Sequence, residues 1–196
     1  MWNISILGTD IYHLIFWFVL YSMLGWLLES IYKSVCVRKL TNRGFAKSPF
    51  CPIYGFGFVG AYFILQPVSQ NTITLFIGGV IIGTSFEYFV GELMIKIFGD
   101  FWWDYSKKPF NYKGIICLES TCAWGLYALC LFGFLQEFIS AFSDYVDPTF
   151  GRYFCGTAII IYLLDFSVQF MRALNINLSE RFHKLRESYH NFREKF

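Results

Sequence analysis

The sequence predicts an all-α, polytopic membrane protein with five transmembrane helices, its N-terminus outside and its C-terminus in the cytoplasm. Three observations carry that expectation. Hydrophobic residues make up 56% of the 196 and charged ones only 15%, against about 25% charged in soluble domains. The apolar residues gather into five long stretches, and the cations between those stretches fall almost wholly on one side. The net charge of +2 is too small for a chain that must neutralise many phosphates, so no nucleic-acid partner is expected.

A spanning helix needs about 20 mostly apolar residues. The candidate spans are residues 11–36, 52–70, 72–98, 114–138 and 153–171. The first is not expected to be a cleaved signal, because its apolar run is long and no Lys or Arg precedes it. The second is short, rich in glycine (Gly55, Gly57, Gly60) and bounded by Pro52 and Pro67. The first loop carries Arg38, Lys39, Arg43 and Lys47, and the third carries Lys107, Lys108 and Lys113. The second loop has no cation, and the fourth has Arg152 against Glu137, Asp144 and Asp147. All 16 Lys and Arg except Arg152 therefore lie on one side, which the positive-inside rule makes the cytoplasm.

Residues 1–171 form the predicted transmembrane domain, and residues 172–196 a basic cytoplasmic tail. Leu178, Phe182, Leu185, Tyr189, Phe192 and Phe196 recur there at helical spacing, flanked by Arg and Lys, and Asn177 with Glu180 has the form of a capping box. Such a helix lies on the inner leaflet or docks a cytoplasmic partner.

The first and third spans share a detail. Gly25-x-x-x-Glu29 matches Gly83-x-x-x-Glu87, and Pro49-Phe50 and Pro109-Phe110 follow at similar distances. A Tyr and a Gly come next in each unit: Tyr54-Gly55, and Tyr112 with Gly114. This pattern predicts a parallel internal repeat of helices 1–2 and 3–4.

Five acids fall inside the predicted spans: Glu29, Glu87, Glu92, Glu119 and Asp165. A carboxylate at the bilayer centre costs roughly 2.5–3.5 kcal/mol on insertion scales, so several together predict a polar cavity open to the inner side. Plainer roles exist for some. Glu29 has Lys33 and Glu92 has Lys96 one turn on, which allows simple pairing. Glu119 begins a helix, where the dipole favours an acid. Glu87 and Asp165 have no cation one turn away, and Glu87 shares a row with Gly79, Gly83 and Gly91. These two are the leading functional carboxylates.

The cytoplasmic loops combine aromatic and polar residues where plain connectors carry small polar ones. Asn42, Arg43 and Tyr54 belong to one; Trp102, Trp103, Asp104, Tyr105 and Asn111 belong to the other. They are expected to form a folded cap over the cavity, with an aromatic belt at the headgroups as the alternative. His13, His183 and His190 do not converge in sequence, so no metal site or cofactor is expected. A pairing of Cys130 with Cys155 stays open. No G-x-x-x-x-G-K-[ST] occurs, so an ATPase would have to be a separate subunit.

The strings Leu24-Gly25-Trp26…Glu29-Ser30, Asn42-Arg43-Gly44-Phe45, Cys51-Pro52-Ile53-Tyr54-Gly55, Glu87-Tyr88…Gly91, Trp102-Trp103-Asp104-Tyr105-Ser106, Pro109-Phe110-Asn111 and Cys117-Leu118 with Trp124-Gly125 stand in order over residues 11–135. In them the chain resembles the bacterial CmpB-like family of ABC-transporter type IV proteins, small multi-pass proteins of the plasma membrane. It departs from the family pattern at Ile115, where a polar residue is common, and at Ile95, where a Glu is common.

The function expected is a permease-like transport component. It would bind a polar or cationic solute, or a lipid ligand, through Glu29, Glu87, Asp165 and Glu119 with Asn42, Arg43, Tyr54, Trp102, Trp103, Asp104, Tyr105 and Asn111. A homodimer or a complex is expected, since five helices are few for a solitary pathway. The alternatives are an intramembrane enzyme acting on a lipid or isoprenoid, with Asp104, Glu87 and Glu119 as acid and base, and a non-catalytic regulatory partner.

Overall fold

The structure is a computed structural model. It describes residues 5–6, 8–42, 44, 46–99 and 101–193, with side chains of the last helix described as far as Ala173. The fold is all-helical apart from a two-stranded ribbon, in which β1 (Ser5–Ile6) pairs antiparallel with β2 (Thr9–Asp10). The helices are α1 (Ile11–Val37), α2 (Pro52–Leu65), α3 (Thr72–Phe98), α4 (Leu118–Cys130), α5 (Gln136–Tyr145) and α6 (Pro148–Arg193).

Among the described residues, four helical segments are long and apolar enough to cross a membrane: Ile11–Val37, Thr72–Phe98, Leu118–Tyr145 and Pro148–Ala173. The second expected span is short, as the sequence suggests, and starts at the expected Pro52. α2 has 14 residues, and a 3-10 turn, Gln66–Val68, adds three. The segment before it sets the depth at which it begins. The Cys51 N–H donates to the Ser22 carbonyl at 3.0 Å, so α2 begins halfway along α1. Ser22 lies 15 residues from the end of α1 at Val37, about 22 Å at 1.5 Å per residue. The chain between α1 and α2 folds inward over that depth and buries Ala46 and Phe50.

The segment between α3 and α4 does the same. It buries Ile115 and Cys117, and Ile115 lies against Gly91 of α3, well inside that helix's end. Backbone off the helix is tolerated at such depth only where protein covers it or a cavity solvates it. Each hairpin is thus a long helix, an inward-folded segment and a shorter return helix.

The caps follow the sequence. Asp10 accepts from the His13 N–H at 2.9 Å to start α1, and Asn71 accepts from Ile73 and Thr74 to start α3. Gly99, at φ 74°, ends α3 in the left-handed conformation that glycine adopts without strain. α4 passes through a π-helical turn, Leu131–Leu135, into α5. That turn brings Gln136, Ile139 and Ser143 to face α1. There Tyr21 donates to Gln136 at 2.6 Å, Trp17 to Ser143 at 3.1 Å, and His13 contacts Asp144 at 3.0 Å. Polar bonds between helices stand in for the hydrophobic effect, which lipid does not supply.

The last helix overturns one local expectation. α6 runs unbroken from Pro148 to Arg193, so the backbone at Asn177 is already helical and no helix starts there. The tail's apolar stripe lies outside the described side chains. All six cysteines, Cys130 and Cys155 included, are free thiols.

Candidate functional site

Each hairpin carries one carboxylate held by an aromatic donor from its return helix. On α1, Gly25 leaves room for the Tyr54 ring, which a Cβ there would strike. Four residues on, Glu29 accepts the Tyr54 hydroxyl at 2.5 Å. On α3, a Cβ at Gly83 would sit 2.5 Å from the Trp124 ring, and four residues on Glu87 accepts the Trp124 indole N–H at 3.1 Å. The next residue of each return helix repeats the contact one level along. A Cβ on Gly55 would strike Phe18, and one on Gly125 would strike Phe76. Phe18 and Phe76 each stand seven residues before the glycine of their motif. The counterpart of Tyr54-Gly55 in space is therefore Trp124-Gly125. Tyr112, which the sequence pattern suggests, instead packs beside Tyr88 in the loop.

Glu87 is buried at 8% exposure. A buried carboxylate needs donors or a cation, and it has donors in the Trp124 indole and the Tyr105 hydroxyl, each at 3.1 Å, with the Ser120 side chain a further hydrogen-bonding neighbour. Among the described residues no Lys or Arg forms an ion pair with it. Tyr105 is within the electrostatic reach of both Glu87 and Glu29, and so is Tyr127. Burial, then the neighbouring charge of Glu87, pushes the Tyr105 phenol up, so it stays a donor.

The 99–117 segment closes over this region and is fastened on both sides. Lys113 reaches Glu92 at 2.8 Å and the Tyr88 hydroxyl at 3.1 Å, while Lys108 reaches Glu119 at 2.6 Å. The Glu92 carboxylate holds the Lys113 ammonium well above the usual lysine range, and Glu119 raises that of Lys108. Glu92 is thus paired across the loop with Lys113, not along its helix with Lys96. Glu119 is exposed and serves as an anchor for the loop.

Several candidate residues hold the loops together. The Trp103 indole donates to the Ile115 carbonyl at 2.7 Å, and Trp102 lies against Phe98. Asn111 donates to the carbonyls of Ser106 and Lys108 and accepts from the Gly114 N–H. Asp104 is exposed and accepts from the Ser106 hydroxyl and N–H, which holds its carboxyl below the usual range. Asn42 accepts from Trp26 at 2.6 Å and donates to Lys47. Asp165 accepts from the Ser48 N–H at 2.6 Å and from Gln169, so it binds the first loop to α6 apart from the Glu87 donors. Arg43 lies outside the described residues.

The structure joins Glu29 to Tyr54 and Glu87 to Tyr105. It adds Trp124 and Tyr127, which sequence reasoning did not single out; the Trp-Gly dipeptide at 124–125, matching Tyr54-Gly55, was the available signal. Among the described residues no group of His, Cys, Asp and Glu could hold a metal.

A family model described as "Putative ABC-transporter type IV" matches residues 16–170 of the 196. The chain belongs to this family. The match takes in both hairpins, both inward-folded segments and the α6 residue Asp165, well beyond the strings that carry the resemblance in sequence. The family places the chain among ABC-transporter-related membrane proteins, in agreement with its four apolar spanning helices. No curated protein and no solved structure matches the chain.

Proposed function

We propose that the protein is a permease-like transport component that binds a small cationic or polar solute between its two hairpins, at Glu29 and Glu87. The observation that carries this reading is the pair of carboxylates on separate hairpins, each held by an aromatic donor of its return helix, with Glu87 buried on hydrogen bonds from neutral groups. Neutral donors stabilise an ionised carboxylate without cancelling its charge, so a cation arriving there gains a partner that the fold withholds.

The five-span topology with the N-terminus outside and the C-terminus in the cytoplasm is part of the proposal, supported by the sidedness of Lys and Arg. So is the parallel repeat, supported by the common Phe-x6-Gly-x3-Glu spacing and the aromatic-Gly contacts. The solute site would face the cytoplasm beneath the 99–117 segment. Energy would come from a separate ATPase subunit, which the family description supports, or from an ion gradient, and the pathway would be completed by a second copy or by other subunits.

The test is purification of the full chain from its native membranes, with mass spectrometry of every bound protein and small molecule. A stoichiometric ATPase and a small cation lost in Glu87→Gln are the expected results. A retained set that is identical in wild type and Glu87→Gln overturns the site.

A further inference from the structure

The spanning part of α6, Pro148–Ala173, is the least buried of the four membrane-length segments, with only 6% of its most apolar stretch covered. Cys155, Ala158, Ile159 and Tyr162 pack against α1 and Phe50 of the first loop. A second row has no such cover. Thr157, Ile161, Leu164, Val168 and Met171 are exposed, the last four at 54%, 66%, 48% and 58%. They follow one another at steps of four, three, four and three.

The same steps continue past the apolar span. α6 runs unbroken to Arg193, so residues 174–193 prolong the spanning helix by about 30 Å instead of turning onto the leaflet. Along them Asn175, Leu178, Phe182, Leu185, Tyr189 and Phe192 take the next positions of the row, again four and three apart in turn. These are the a and d positions of five heptads, and none of them is charged. A straight helix has 3.6 residues per turn, so a row of period 3.5 drifts by about 20° per heptad, roughly 100° over this length. Two helices wound left-handed around each other keep such a row between them.

We propose that α6 is the interface of a parallel homodimer, in which the α6 helices of two copies wind around each other along this row as a coiled coil. Two copies of one chain cross the bilayer in one orientation, so their helices pair parallel and in register. Asn175 takes an a position among apolar neighbours, and a single asparagine there favours two strands in one register. Lipid gives the spanning part no hydrophobic drive, so the part in water must hold the pair. There Phe182, Tyr189 and Phe192 of the two copies would bury about 900–1,500 Å² before Leu178 and Leu185 are counted. That reaches the roughly 1,200–2,000 Å² of a stable interface. Of the e and g positions that meet across the tail, only Arg181 and Arg186 set like charges together. They do so at the solvent rim of the coil, where ion pairs count for little. The dimer does not depend on the solute site at Glu87, and it supplies the second copy that the pathway would use.

The test is native mass spectrometry of the full chain in mild detergent, with cysteine crosslinking in membranes. Wild type should be a dimer. Phe182→Glu with Phe192→Glu puts unpaired charge in the seam, so the dimer fraction should fall at least about tenfold. Glu187→Gln, at an f position away from the seam, should leave it unchanged. Leu185→Cys should crosslink to its own copy under a mild oxidant, in excess of wild type and of Glu187→Cys. That comparison needs no disruption of the fold. A monomeric wild type, a dimer that survives the double substitution, or crosslinking at 187 equal to that at 185 overturns the proposal. So does a different helical protein on the tail in place of a second copy. Glu87→Gln should stay dimeric, so the solute site and the dimer fail by separate results.

Discussion

Replacing Gly83 by alanine tests the construction of the site at a single methyl group. The added Cβ would lie 2.5 Å from the Trp124 ring, while carbon atoms in contact settle at about 3.5–4.0 Å. The ring must therefore retreat by about 1 Å. Its indole N–H starts 3.1 Å from Glu87, and that shift carries it out of hydrogen-bond range. Overpacking costs about 1–3 kcal/mol, a lost hydrogen bond to a charged group about 1.5–3 kcal/mol, and the helix preference for Ala over Gly returns about 1 kcal/mol. The expected net loss is about 2–5 kcal/mol. Unfolding in mild detergent, followed by circular dichroism, reads it against Gly156→Ala, where the Cβ has open space. Trp124→Leu in the same chain should absorb much of the penalty, because the clash and the bond belong to one side chain. If Gly83→Ala is as stable as Gly156→Ala, Trp124 does not lie over Gly83 and the site is wrongly built.

Gly25→Ala should destabilise to a similar degree through Tyr54, and a neutral result in the same assay would separate the two hairpins. Tyr21→Phe removes a bond between α1 and α5 and should cost about 0.6–2 kcal/mol in unfolding experiments; the Gln136 carbonyl it leaves behind is buried. Glu92→Gln should weaken one fastening of the 99–117 segment and speed hydrogen exchange around Lys113, with little change in global stability, since the pair is half-exposed. The Asp104 turn carries its own pH dependence. Its carboxyl is held low by Ser106, so the turn is intact above the ordinary Asp range and loosens as pH falls through the lowered value. Ser106→Ala removes the hydroxyl bond and keeps the N–H bond, so it should weaken the pH dependence of exchange in that turn in the acid range; an unchanged profile would show that the hydroxyl does not hold Asp104.

Much was legible in the chain because membrane physics leaves a linear record. Burial in lipid demands long apolar runs, and their ends fell within a residue for α1 and on the same residues for α3. The family was legible from its strings, and Glu87 from its lack of a neighbouring cation on a row of glycines. The shortness of the second span and its start at Pro52 were legible; the depth at which α2 begins beside α1 was not, because sequence does not show how far a connecting segment folds inward. The bond between Cys51 and Ser22 that starts α2 so deep joins residues 29 apart in sequence.

The roles of the loop residues diverged for the same reason. Asp104, Asn111, Trp103 and Asp165 have the chemistry of binding residues, yet each spends its polar atoms on loop backbone. Sequence fixes which groups a chain can offer; only packing decides which of them the chain uses on itself. By itself the sequence determined the membrane environment, the positions of the long helices and the acids that need explaining. The tertiary structure alone decided that Tyr54 bonds Glu29, that Trp124 bonds Glu87 in the matching place, and that α2 faces α3 and α4 across an apolar crevice, because those contacts join segments far apart along the chain.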